Sequence, residues 1–362
     1  MKPRVIAYYL PQYHPFPEND EWWGKGFTEW TNVARARKLF PGHKQPHIPA
    51  DLGFYDLRLP EVREEQARLA RKAGIEGFCY YEYWFGEGRR LMNRPFDEVV
   101  ASGKPDFPFC ICWANHSWYK KLWDPKNPGK DVLLMEQRYP GVADYTAHFN
   151  ALLPAFKDKR YIRVDGKLFY IIYDALHFDD VQTFINTWRR LAKENGLGDF
   201  YFVGTDFNSE HYDELMALGF DATHNVDHLN IYHTSNVVKK VLLTIGRKYL
   251  HRPMIYKYKN AIKYMVNDDC RKRTVIPVII PNWDHTPRSG AKGLVMTHPE
   301  PKYFKMLAER AIDMVKEKPD DEKIIILKSW NEWGEGNYME PDLDYGHGYI
   351  DALAAAINEH GK

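Results

Sequence analysis

The chain has 362 residues, 44% of them apolar and 15% aromatic, including 11 Trp and 24 Tyr. Its 50 basic and 49 acidic residues leave a formal charge of +1, which excludes a global field steering nucleic acid or an anionic membrane. The length is large for one ordinary domain and normal for one α/β barrel with insertions.

Strand-like and helix-like runs alternate along the chain. Arg4–Leu10 is the first strand candidate, stopped by Pro11. The opening MKPRVIAYYLPQYH has too short an apolar run for a signal peptide, and no stretch reaches a membrane span, so a cytoplasmic location is expected. Residues 12–57 follow, rich in aromatics and proline, with Trp22, Trp23, Trp30, His14, His43 and His47. That segment is too long for an inert connector and too aromatic for disorder, so it should fold over one end of the domain.

Pro60–Ala73 reads as a helix, with proline at its first position, acidic residues in the first turn and Gly74 as its stop. Gly77–Phe85 is the second strand, with Glu82 set among aromatics, and Phe107–Trp113 is the third. Tyr145–Phe156 is helical, Lys167–Tyr173 is a fourth strand, and Asp180–Asn195 is a second long helix. Phe200–Val203 and Phe220–Val226 are the fifth and sixth strands, the latter leading to His224 and His228, with a short helix at Tyr212–Leu218 between them. Leu229–Arg273 is basic and tyrosine-rich and reads as a helical excursion. Val275–Ile280 is the seventh strand and Ile324–Leu327 the eighth, each followed or preceded by a helix at Pro301–Lys316 and closed by one at Gly348–Glu359.

Eight strands separated by helix-capable segments predict a single (β/α)8 barrel over 1–362, with an extended aromatic loop after strand 1 and a helical excursion after strand 6. Most of the strands run straight into polar or aromatic clusters: WANHSW, YDA, GTDFN, THNVDH, NWDH and WNEWGE. Loading one rim in this way marks the C-terminal end of the barrel as the site. The four cysteines, Cys79, Cys110, Cys112 and Cys270, lack metal-ligand spacing and should be buried and reduced.

The sharpest chemistry lies after strand 8, where Glu332 and Glu335 stand among Trp330, Asn331, Trp333, Gly334 and Gly336. In an extended chain these carboxylates point to opposite faces, so they converge only if the chain turns, which Gly334 and Gly336 permit through positive φ. Paired carboxylates about 5–9 Å apart are what glycosidic bond cleavage requires. The bland alternative is a solvated loop with two surface glutamates. His14, His116, His224, His228 and His285 all fall on rim segments, but their spacing does not make a metal site, and no metal or cofactor is expected. Asp342-Leu343-Asp344 matches the short pattern by which sugar-nucleotide transferases hold a metal, without the nucleotide-binding context.

The stretches YYLPQYHPFPENDEWWGKGFTEWTNV (8–33), GFCYYEYWF (77–85), DFPFCICWAN (106–115) and WNEWGEGNYMEPD (330–342) resemble the WbsX-type proteins, which are similar to glycoside hydrolase family 99. The likeness runs through nearly the whole chain. It implies a carbohydrate-active enzyme on a bacterial oligosaccharide or polysaccharide, in the manner of a retaining endo-α-mannosidase. Glycosyl transfer in polysaccharide assembly and non-catalytic glycan binding are the alternatives. By the resemblance, Glu335 is the general acid/base, and Glu332 deprotonates the sugar 2-hydroxyl for attack on the anomeric carbon. Tyr9, Gln12, Trp30, Glu82, Trp84, Trp113, Asn115, His116, Asp206, Trp283, Trp330 and Asn331 are the expected substrate-binding positions. Two motifs depart from the family. WbsX-type chains often read YYHYWF where Glu82 stands here, and WANENW where His116 stands. An exchanged His–Glu contact between Glu82 and His116 is therefore expected.

Overall fold

The computed structural model describes residues 2–120, 131–207, 209–226 and 230–360; His228 lies outside them. Its central sheet is built from β1 (Arg4–Tyr9), β2 (Ile75–Trp84), β3 (Phe109–Trp113), β4 (Lys167–Ile172), β5 (Phe200–Phe207), β6 (Ala222–Val226), β7 (Val275–Ile276), β8 (Val278–Ile279) and β9 (Ile324–Leu327). The strand order is β7-β6-β5-β4-β3-β2-β1-β9-β8, and these neighbours pair in parallel. β7 and β8 are two halves of one stretch, so the two ends of this path meet and the sheet closes as a (β/α)8 barrel.

The split has a simple cause. Pro277 has no N–H for the ladder, so the stretch cannot pair continuously. Val275 instead pairs with Thr223 on one side, and Val278 with Ile326 on the other. The Pro277 carbonyl still accepts from the Ile326 N–H at 3.0 Å.

Helices cover the outside, among them Pro60–Ala73, Val142–Phe156, Val181–Glu194, Pro301–Val315 and Gly348–His360. Each presents an apolar stripe inward, as Phe184, Trp188 and Leu191 do in 181–194. A further helix, Arg94–Ser102, buries Pro95, Phe96 and Val99 between β2 and β3, where the sequence reading placed none. The excursion after β6 contains helices Val237–Tyr249 and Tyr258–Met265. It also carries a strand, Met254–Lys257, paired in parallel with Leu294–Thr297. All four cysteines are buried and free.

Alternation along the strands decides what faces the barrel interior. Tyr8 stacks on Tyr81 with ring centroids 4.8 Å apart, and its hydroxyl meets His224 Nε2 at 2.7 Å. Thr205 Oγ1 reaches the same nitrogen at 2.9 Å. Burial and the neighbouring Lys328 charge pull the His224 pKa down to about 3, so this imidazole is neutral. The adjacent positions face the helical shell: Tyr9 donates to Gln66, and Trp113 packs on Phe184 at 5.1 Å.

Candidate active site

Beyond β9 the chain passes Lys328 and Ser329, and Asn331–Glu332 then pairs antiparallel with Asn337–Tyr338. Between those pieces Trp333–Glu335 makes one tight 3₁₀ turn. Residues three apart eclipse in such a turn, which brings Glu332 and Glu335 to the same side. Of the two glycines, only Gly336 has a left-handed backbone, at φ +54°. Gly334 is needed for a different reason: a Cβ there would overlap the Glu29 carboxylate.

Arg288 Nη1 donates to Glu335 Oε1 at 2.7 Å and to Glu332 Oε1 at 3.2 Å, while its Nε donates to Glu29 at 3.0 Å. Sharing one nitrogen keeps the two oxygens within about 6 Å, compatible with the spacing of retaining glycosidases. From beneath, Lys328 Nζ lies 3.3 Å from Glu332 Oε2 and 3.6 Å from Glu335 Oε2. Ser329 Oγ donates to Glu332 Oε2 at 2.9 Å. His285 Nε2 lies 3.4 Å from Glu335 Oε1, and its Nδ1 meets Ser289 Oγ at 2.6 Å.

Burial opposes charge on Glu335, but Lys328, Arg288 and His285 outweigh it and hold the carboxyl well below the usual carboxylate range. Its Oε2 is buried and makes no hydrogen bond among the described residues. The Lys328 ammonium is buried too, and the two carboxylates push its pKa up against the effect of burial.

These groups open onto a cleft of about 620 Å³ at the C-terminal end of the barrel. Its walls include Tyr81, Tyr83, Tyr173, Trp118, Trp23 and Phe27, with Gln12, Asn19 and Asn32 as polar lining. Flat rings with interspersed amides suit a sugar, whose C–H faces stack and whose hydroxyls hydrogen-bond.

Residues 5–353 match the family model described as Glycosyltransferase WbsX. The chain belongs to that family. Another relative, the uncharacterised protein WxcX of Xanthomonas campestris pv. campestris (strain B100), is 35% identical over 360 residues. That alignment takes in 98% of the chain but 49% of WxcX, so the chain spans about half the length of the curated relatives it matches. Among solved structures, a GH99 endo-alpha-mannosidase from Bacteroides thetaiotaomicron in complex with bis-tris-propane superposes with a TM-score of 0.60 at 16% identity, covering 99% of this chain and 97% of the other. A glycoside hydrolase-like protein superposes equally, with a TM-score of 0.60 at 16% identity, covering 98% and 94%. At this identity the likeness establishes the fold.

Within this WbsX-family barrel the expected binding positions separate into groups. Gln12, His116, Glu332 and Glu335 line the cleft. Trp30 lies just behind it, donating its indole N–H to the Tyr55 carbonyl at 2.7 Å and packing against Trp333. Asn331 ties β1 to the loop that carries Glu332 and Glu335, accepting from Leu10 N–H at 2.8 Å and donating to its carbonyl at 3.0 Å. Asn115 similarly clasps the backbone of Asp174.

Trp84, Trp113 and Trp330 are packed into the shell behind the sheet; Trp84 stacks on His148 at 4.7 Å, and Trp330 packs on Phe78 at 5.5 Å. Asp206 accepts the backbone N–H groups of Glu210 and His211, closing the loop after β5. Trp283 lines a neighbouring cavity of about 230 Å³, with Lys328 Nζ 5.6 Å from its ring centre. Asp342 accepts from the Tyr338 hydroxyl and Asp344 pairs with Lys44.

The expected Glu82–His116 contact is not formed. Glu82 faces outward from β2, where it meets His148 at 3.1 Å and Arg90 at 3.2 Å. Burial works against its charge, but His148 and Arg90 hold it below the usual carboxylate range. His116 stands on the cleft against Tyr173, its ring centroid 5.7 Å away. Parity explains the error: Glu82 sits between the cleft-facing Tyr81 and Tyr83 and so points the other way.

Sequence reasoning passed over Arg288, Lys328 and Glu29 and did not carry His285 into the site. Lys328 alone had a visible signal, as the first polar residue after an apolar strand at the C-terminal rim of the barrel. Among the described residues, Glu309, Glu359 and His360 have metal-like spacing, but they sit on outer helices, with Glu359 held by Lys305.

Proposed function

We propose that this protein cleaves or transfers glycosyl units of a bacterial oligosaccharide or polysaccharide with retention of configuration, using Glu332 and Glu335. The observation that carries this reading is the sharing of one guanidinium nitrogen by both carboxylates at the floor of an aromatic cleft. Arg288 occupies the space between them, where a sugar 2-hydroxyl and its neighbouring glycosidic oxygen must come. Substrate that takes this place draws Arg288 away from Glu335. Losing that cation raises the Glu335 pKa, and the form of the carboxyl that has taken a proton from solvent is the one that reacts.

Glu332, held in place by Lys328 and Ser329, accepts the proton of the 2-hydroxyl as its oxygen bonds to the anomeric carbon. Glu335 gives its proton to the departing glycosidic oxygen as that bond breaks. Water or an acceptor hydroxyl then opens the strained ring. Glu335 takes the incoming proton, and Glu332 returns one to the 2-oxygen. Hydrolysis and transfer differ only in this second step, and the family description favours keeping transfer as the second reading.

A panel of α-linked oligosaccharides, incubated with and without nucleotide sugars and divalent metal, tests the proposal. Turnover of the glycan alone, lost in Glu335→Gln, is expected. Turnover strictly dependent on a nucleotide sugar would replace this reading with a sugar-nucleotide transferase.

A further inference from the structure

Helix Val237–Tyr249 carries an apolar face that the described residues leave uncovered. Val237, Val238, Val241, Leu242, Ile245 and Tyr249 are all exposed, Val237 at 75%, Leu242 at 63% and Tyr249 at 66%. At helical periodicity these six fall in one arc of about 140°. The opposite side meets the protein: Leu243 packs on the core, and the Lys239 ammonium sits 4.0 Å from the Tyr256 ring centre. Soluble surfaces rarely expose so continuous an apolar stripe without an occupant.

Charge identifies that occupant. Residues 230–266 contain eight Lys or Arg and no Asp or Glu, in a chain whose total charge is +1. A second copy docking through a twofold axis would set this basic surface against itself. An anionic bilayer offers both what the stripe lacks, an apolar medium, and what its surroundings lack, negative charge. Thirteen residues are too few to cross a bilayer, so the helix must lie in the interface plane.

We propose that helix Val237–Tyr249 is a peripheral anchor that docks this protein on an anionic phospholipid surface. The placement of the helix gives this a consequence for the cleft. The excursion leaves the C-terminal end of β6, and its strand Met254–Lys257 pairs with Leu294–Thr297. Val295 of that strand bridges to Asp284, whose N–H donates to the Glu335 carbonyl at 2.8 Å. Anchor and catalytic loop therefore share one rim, and docking brings the cleft to glycan displayed at the membrane surface.

Vesicle flotation of the full chain tests the proposal without reference to turnover. Wild type should float with phosphatidylcholine–phosphatidylglycerol vesicles and at least about tenfold less with phosphatidylcholine alone or at high salt. Leu242→Glu/Ile245→Glu should lose flotation with an unchanged thermal midpoint. Lys248→Glu/Arg252→Glu, which leaves the stripe intact, should lose it on the anionic vesicles alone and guards against misfolding of the first variant. Wild type that stays at the bottom with anionic vesicles overturns the proposal. So does a wild-type dimer that Leu242→Glu/Ile245→Glu splits into monomers, since the stripe would then be a contact between copies.

Discussion

Replacing Glu335 by glutamine removes the proposed proton donor while preserving nearly all of the shape around it. The glutamine carbonyl can still accept from Arg288, which now lies 2.7 Å from Oε1, and Lys328 keeps its shorter contact of 3.3 Å to Glu332. The variant loses one charge-assisted hydrogen bond, about 1–3 kcal/mol. Spread over a chain of this size, that lowers the thermal midpoint by about 1–4 °C. The rate effect should be far larger. General acid catalysis contributes about 10²–10⁴-fold, so turnover of a natural glycan should fall by at least the lower figure with KM little changed. An activated aryl glycoside needs little protonation of its leaving group and should lose less than about tenfold. Glu332→Gln should impair both substrates alike, because it disables the attacking 2-oxygen. Parallel kinetics on the two substrates, with melting curves for each variant, give the answer. Equal losses on both substrates for Glu335→Gln would refute its assignment as the acid.

Other outcomes follow from the same geometry. Lys328→Met leaves two buried carboxylates with Arg288 as their main cation; stability should fall by about 3–5 kcal/mol near neutral pH in denaturant titrations. The same change removes the largest cause that depresses the Glu335 pKa, so the limb of the pH–rate profile set by Glu335 should move to higher pH. Gly334→Ala should displace Glu29 and, through it, Arg288, cutting turnover at least about tenfold with a modest loss of melting temperature. The ion pairs of Glu335, whose pKa is depressed in the folded state, stabilise the protein above the ordinary carboxylate range. That contribution is lost as pH falls through the depressed value, so Glu335→Gln should flatten the acid side of the stability profile.

Glu340 has the opposite sign. Burial raises it to about 7, although Trp333, Gln66 and Tyr55 all donate to it. Folding therefore loses about 3 kcal/mol from this group as pH rises from the ordinary carboxylate range through 7. Denaturation midpoints at pH 5 and 8 should show Glu340→Gln removing that part of the slope.

The barrel was legible because its strands are apolar runs cut off by proline, glycine or polar clusters, as Arg4–Tyr9 is by Pro11 and Ile324–Leu327 by Lys328. The turn carrying Glu332 and Glu335 was legible for the same reason, though Gly334 serves close approach and not positive φ. Side-chain direction was hidden. Strands of a parallel barrel are buried on both faces, so no hydrophobic alternation marks the inward positions. Tyr9, Glu82, Trp113 and Asp206 each lie one residue from an inward-facing neighbour: Tyr8, Tyr81, Cys112 and Thr205. Helix Arg94–Ser102 escaped notice because it spans only nine residues, short of the length over which helical periodicity is read. The split at Pro277 was visible as a proline inside a strand and was passed over. Arg288 could not be found at all, since no pattern links it to carboxylates 44 and 47 residues further on.

In the proposed mechanism a glycosyl unit is attacked by its own 2-oxygen between Glu332 and Glu335, and the first product carries the record of that step. Proton NMR of the anomeric signal during the earliest turnover of an α-linked oligosaccharide, before mutarotation, reads it directly. Two inversions at one carbon predict that the α-anomer appears first and that the signal is absent with Glu332→Gln. A β-anomer appearing first would mean a single displacement by water, and would contradict the roles assigned to both glutamates.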